Sequence, residues 1–296
     1  MINTRILEQR LGWRGNGQES GDDQPESRPI RHESVLQGRV RHAPGRGRGG
    51  PRRADIEATW AALPAIAPST DDMAGDRRRG LAPFDRNGAA AAALDQLRTQ
   101  LLRVTRENGW RRVGVTAPAR GGGCSFVAAG LAASVARLNY IRVLLMDMDL
   151  SEPGLARLLR IESGTPISDL LVGAAPVETW MMRVGDNLAL GLGGEPVAGA
   201  ADLVQNPDMI LGLRAAIDAL SPDLVIHDLP PLLTDPSAQA LLPQLDAVLL
   251  VADGTRTQAR DIIECERCLE GQVPLLGVIL NKSEDTGNAD RRLSRN

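Results

Sequence analysis

The sequence predicts an α/β domain, a mostly parallel sheet with helices on both faces, preceded by a disordered N-terminal arm. Three observations predict it. Six short apolar runs lack polar alternation, helical stretches separate them, and composition changes sharply near Gly88. Unbroken apolar strands are buried on both faces, and strand–helix alternation is the pattern of parallel sheets wound in both directions.

Residues 1–87 are rich in Gly, Pro, Arg, Asp and Ser, with apolar clusters such as AALPAIA (61–67) too few to bury a core. They are read as an arm in which a short helix near Trp60 changes little. Its stretch GRVRHAPGRGRGGPRR (38–53) carries arginines and no acid, so either a solvated linker or an anion-binding segment fits it. From Gly88 the chain becomes helical, with Leu94, Leu97, Leu101 and Val104 on one face. Strands are expected at 111–117, 141–147, 187–192, 223–228, 246–252 and 275–281. Helices are expected at about 125–138, 207–220, 235–242 and 257–270. The domain is bounded at 88–285, and 286–296 is read as a flexible tail.

The 296 residues carry a formal net charge of −3, which argues against a nucleic-acid partner or a membrane-surface protein. No stretch reaches the length of a membrane span and the N-terminus lacks the apolar middle of a signal peptide, so a cytoplasmic location is expected. Three cysteines, Cys124, Cys265 and Cys268, fit a reducing compartment. Lys282 is the only lysine.

Ligands of such sheets sit at the carboxyl ends of the strands. After the first strand comes PARGGGCS (118–125), a glycine-rich turn leading into an Ala-rich helix. Glycines let backbone wrap a phosphate, and the N–H groups of the helix's first turn offer partial positive charge. Gly121, Gly122, Gly123, Cys124 and Ser125 are therefore candidate nucleotide contacts. Helix–sheet packing alone also selects glycine at such turns. Asp147, Asp149 and Asp228 stand at strand tips beside the loop, as a Mg²⁺–nucleotide site requires. Ser125, Asp147 and Asp228 are candidate metal ligands, and the three aspartates are candidate catalytic groups. The competing reading is that aspartate merely ends strands and caps helices, which explains one such residue better than three.

The ordered set RVGVTAPARGGGCS, RVLLMDMDLSEPGLARLL, ISDLLVGAAPVE, ADLVQNPDM, DLVIHDLPP, AVLLVADGTRT and GVILNK resembles the bacterial tyrosine kinases of capsule and exopolysaccharide synthesis. These kinases form a branch of the MinD/ParA-like phosphate-loop ATPases. The resemblance spans about 90–282. It implies ATP or ADP with Mg²⁺ as cofactor, with Asn281 on the adenine side. It also implies a membrane polysaccharide co-polymerase as partner, acting through its cytosolic tail.

Four features depart from that family. Cys124 stands where the loop lysine belongs, and losing one preorganised charge donor raises a phosphoryl-transfer barrier by about 3 kcal/mol, or about a hundredfold, on the analogy of deleted oxyanion donors. Arg120 lies in the same loop, but its planar fork differs in geometry from lysine. The family's oligomer-forming Glu-x-x-Arg-x-x-Arg falls on Ala92, Asp95 and Arg98, so only the last member survives, and self-association by other contacts stays open. Tyr140, before a core strand, is the single tyrosine, where the family has a tyrosine-rich tail. Ser151 and Glu152 replace arginines that follow the second acid.

The expectation is a regulator of exopolysaccharide synthesis with a kinase-like domain weak in ATP turnover. The alternatives are an active kinase or ATPase acting on a partner, and a positioning ATPase. Cys265 and Cys268 (CERC) are read as helix core residues and not as a metal half-site, and His227 as a buried strand residue. His32 and His42 carry no signal.

Overall fold

A computed structural model describes residues 52–66, 90–161 and 176–282. Seven strands run in chain order: β1 (Arg112–Thr116), β2 (Val143–Asp147), β3 (Met181–Val184), β4 (Leu188–Gly191), β5 (Leu224–Asp228), β6 (Ala247–Asp253) and β7 (Leu275–Asn281). They form one sheet in the order β3-β4-β2-β5-β1-β6-β7. Every pairing is parallel except β3 with β4. The helices are α1 (Arg53–Ala62), α2 (Ala91–Asn108), α3 (Cys124–Ala136), α4 (Leu155–Leu159), α5 (Ala200–Leu203), α6 (Pro207–Leu220), α7 (Pro236–Leu241) and α8 (Ala259–Leu269).

All residues of β2, β5 and β6 are buried, as expected of strands covered on both sides. The core is accordingly double. Alternate strand residues such as Val115, Leu145 and Leu249 pack under α2 and α3. Leu144, Val225 and Leu250 face the layer of α6 and α8. The leading helix buries Leu94, Leu97, Leu101 and Val104, the stripe expected from its spacing, and ends on Gly109 in the left-handed conformation. Two cappers set helix starts: Asn206 accepts from Asp208 N ahead of α6, and Asp235 accepts from Ser237 N ahead of α7.

The strands expected from sequence are present, with β3 as an addition. Its four residues, MMRV, are too short to show a period. The expected arm needs correction over 52–66. There α1 docks on the domain: Trp60 is 3% exposed, its indole N–H donates to the Leu220 carbonyl at 2.7 Å, and Leu63 is buried with it. The Arg142 guanidinium lies 5.1 Å from the Trp60 ring centre and also pairs with Glu57. One large aromatic side chain thus fixes a segment whose composition alone does not call for order. The remainder of the expected arm and the tail lie outside the described residues, as does ISDLLVGAA (167–175).

Trp60→Ala is expected to remove on the order of 3 kcal/mol of local packing. Limited proteolysis should then cut within 52–66 while the sheet resists, and equal cutting in wild type and variant would contradict the docking.

Candidate functional site

The site lies at the carboxyl ends of β1, β2 and β5, which neighbour one another in the sheet. The loop after β1 makes its turn with two left-handed glycines, Gly121 (φ +84°) and Gly123 (φ +90°), the latter capping α3. A Cβ at Gly123 would overlap the Asn281 amide nitrogen, so both backbone angle and space require glycine there. The loop lines a cavity of about 370 Å³ that Asp149, Glu152, Arg157, Leu229 and Pro231 also line.

Asp147 and Asp228 are paired across β2 and β5 in register. Both are buried. Asp147 Oδ2 accepts from the N–H groups of Gly154 and Leu155 at 3.0 Å each, so this oxygen caps α4. Its Oδ1, and both oxygens of Asp228, lack a well-aligned hydrogen-bond partner. Burial pushes the Asp147 carboxyl up to about 7, with the N–H bonds from Leu155, Asp149 and Gly154 opposing and the Asp149 charge adding. Burial pushes Asp228 well up too, with Asp147 adding and the Ser125 hydroxyl favouring the charged form. Ser125 closes the group, its Oγ lying 3.2 Å from where a Cβ on Gly154 would stand. Three buried carboxylate oxygens without a well-aligned donor, beside a serine hydroxyl, are a donor set suited to a hard divalent cation, because a cation repays their desolvation. These residues fit Mg²⁺.

Cys124 opens α3 and lines the cavity. Burial pushes its thiol well above the usual range, with the charges of Asp228 and Asp149 adding. At neutral pH it is a neutral thiol, a poor nucleophile and no phosphate ligand. Its alkylation by iodoacetamide at pH 7 should run at least tenfold slower than that of a free cysteine, followed by peptide mass spectrometry, and parity would contradict this environment.

The loop's arginine, Arg120, is already engaged by carboxylates. Its guanidinium meets Asp149 at 2.6 Å, Asp235 at 3.2 Å and Glu152 at 3.4 Å. Sequence reasoning missed Asp235, which caps α7 through one oxygen and holds Arg120 through the other. Glu152, one of the replacements after the second acid, is the third partner.

Asn281, expected on the adenine side, is buried, and its amide donates to the Gly122 carbonyl at 3.0 Å. Lys282 stands next to it against the same loop. Arg98 is turned inward, donating to Asp95 and the Ser134 carbonyl, and Asp95 also pairs with Arg137. Cys265 is fully buried, its thiol pushed up to about 12 by burial, and Cys268 packs partly buried beside the same core. No group of three or more His, Cys, Asp and Glu placed to hold a metal ion occurs among the described residues. His227 is buried between strands, and burial lowers its imidazole to about 4, leaving it neutral. Among the described residues no helix is long and apolar enough to cross a membrane.

No protein-family model matches the chain. It is 31% identical over 172 residues to the succinoglycan biosynthesis transport protein ExoP of Rhizobium meliloti, covering 55% of this chain and 21% of that protein. It is 31% identical over 242 residues to EpsB of Ralstonia solanacearum, a tyrosine-protein kinase by name, covering 77% of this chain and 32% of that protein. The chain thus spans a third or less of the length of these relatives. Among solved structures, the kinase domain of Escherichia coli tyrosine kinase ETK superposes with a TM-score of 0.62 at 24% identity, over 76% of this chain and 91% of that one. The BceF tyrosine kinase domain gives 0.60 at 22%, over 79% and 99%. At these identities the superpositions establish the fold.

Proposed function

From the premise that the chain belongs to the bacterial tyrosine kinase family of capsule and exopolysaccharide synthesis, we propose that it is a kinase-like regulator of that synthesis, impaired in ATP turnover. In this reading it acts through the cytosolic tail of a membrane polysaccharide co-polymerase. The observation that carries the impairment is the state of charge in the loop. Its lysine position holds the neutral Cys124 thiol, and its one cation, Arg120, is held by three carboxylates. Phosphoryl transfer depends on positive charge preorganised around the moving phosphoryl oxygens, and this loop offers little.

The rest of the machinery supports nucleotide recognition. Gly121, Gly122 and Gly123 would present N–H groups to phosphates, and Ser125, Asp147 and Asp228 would hold Mg²⁺. That ion supplies charge neutralisation between phosphates when bound. Asp147 doubles as the cap of α4, so occupancy at the acids reaches the α4 segment that lines the cavity.

The unpartnered oxygens of Asp147 and Asp228 favour a second reading, an active kinase or ATPase whose missing charge comes from a partner. Isothermal titration with Mg-ATP and Mg-ADP separates the two. Impairment predicts weak or absent binding and no steady hydrolysis. Sub-micromolar affinity with turnover would overturn it, and radiolabel transfer to a partner protein, lost in Asp147→Asn, would establish the second reading.

A further inference from the structure

The chain's only lysine touches the phosphate loop from behind. Lys282 Nζ donates to the Gly121 carbonyl at 2.6 Å and to Asp253 Oδ2 at 2.8 Å. Its neighbour Asn281 donates to the Gly122 carbonyl at 3.0 Å. Two consecutive residues at the end of β7 therefore hold two consecutive loop carbonyls. Asp253, at the end of β6, is buried and fixed in turn by the Thr255 N–H and hydroxyl at 2.9 and 2.6 Å. The Gly254 N–H donates to the Asn281 carbonyl at 2.8 Å, tying the two strand ends together.

Peptide geometry converts these contacts into an orientation. In a trans peptide the C=O and the following N–H point in opposite directions. With the Gly121 and Gly122 carbonyls drawn toward β7, the N–H groups of Gly122 and Gly123 face away from it, and these glycines line the cavity. Consecutive N–H groups aimed into one concavity make an anion nest.

Resting on the reading of the loop as a phosphate cradle, we infer that Lys282 and Asn281 are positioning residues, a clamp that sets the loop in its anion-binding shape before any ligand arrives. Asp253 pairs with Lys282 at 2.8 Å and offsets most of its charge at the cavity. The clamp orients donors and leaves the charge deficit at Cys124 unrelieved.

Hydrogen exchange on the ligand-free full chain tests the orientation. Lys282→Met and Asn281→Ala should each speed exchange of the 122–125 amides at least tenfold, with β1 and β5 unchanged. Unchanged loop exchange in both overturns the clamp. Lys282→Met leaves Asp253 buried and unpaired, so the double variant Asp253→Asn/Lys282→Met serves as the folded control. Pyrophosphate titration in the Cys124→Lys background supplies a readout that simple bracing would not move. Adding Lys282→Met should weaken binding about tenfold and adding Lys282→Arg should retain most of it, whereas equal affinity with and without Lys282 overturns the positioning role. If Cys124→Lys binds no pyrophosphate at all, the phosphate reading of the loop fails and the clamp's role fails with it.

Discussion

Cys124→Lys is expected to tighten Mg-ADP binding by about ten- to a hundredfold, measured by isothermal titration against wild type. The estimate is the worth of one charge-assisted contact, about 1.5–3 kcal/mol. Three features make the gain local. The position opens α3, where the helix terminus already favours an anion, so a lysine there adds to an existing field. The thiol it replaces is neutral, so no ion pair is lost. The new ammonium would face Asp228 and Asp149, whose charges now oppose a thiolate, and both would welcome a cation. Affinity unchanged in the lysine variant would place the lesion elsewhere, with the Arg120 carboxylate cage as the next candidate. Relieving that cage in Asp235→Asn should then be what restores binding.

Metal-free protein is expected to lose stability as pH rises from about 4 to 7. The sign follows from linkage. A carboxyl whose folded-state pKa is raised binds more protons when native than when unfolded, so stability falls between the unfolded value and the folded one. Asp147 rises from 3.8 to about 7, and Asp228 moves the same way. A shift of this size for one group corresponds to on the order of 4 kcal/mol. Asp228→Asn removes one buried charge and relieves Asp147, so in EDTA at pH 8 it should melt about 8–16 °C higher than wild type, at roughly 2–4 °C per kcal/mol. Millimolar Mg²⁺ should stabilise wild type at pH 8 and leave Asp228→Asn nearly unmoved. A flat pH profile in wild type would show that the two acids are solvated in solution.

Much of the sheet was legible because its strands are buried on both faces and written as unbroken apolar runs. DLVIHD and DAVLLVA cannot be read as amphipathic helices or as half-exposed strands. The acids were legible as strand tips, but their adjacency was not. Asp147 and Asp228 meet only because β2 and β5 lie side by side, which depends on the crossovers and not on either segment. The same holds for the clamp and the cage. Lys282 lies 161 positions from Gly121, and Asp235 lies 115 from Arg120. Asp235 carries no local signature beyond its charge, and Lys282 none beyond its place at the end of GVILNK. Order at α1 was illegible for a different reason. Its burial depends on one indole finding the Leu220 carbonyl, and a composition-based reading averages that residue away.

The same segment bears on colloidal behaviour. β3 is the border strand of the sheet, and such a border exposes unpaired main-chain groups to any other chain with an extended stretch. Here Arg183 N–H donates to the Pro64 carbonyl at 2.9 Å, and the Arg183 carbonyl accepts from Ile66 N–H at 2.8 Å, so both main-chain groups at the middle of that border are taken. Pro64 brings no N–H of its own to recruit a further strand. Residues 64–66 thus act as a selvedge, finishing a fabric that would otherwise fray into contacts with other molecules. Trimming the chain to the sheet domain alone would lower its solubility, at no cost to the phosphate loop on the far side of β5.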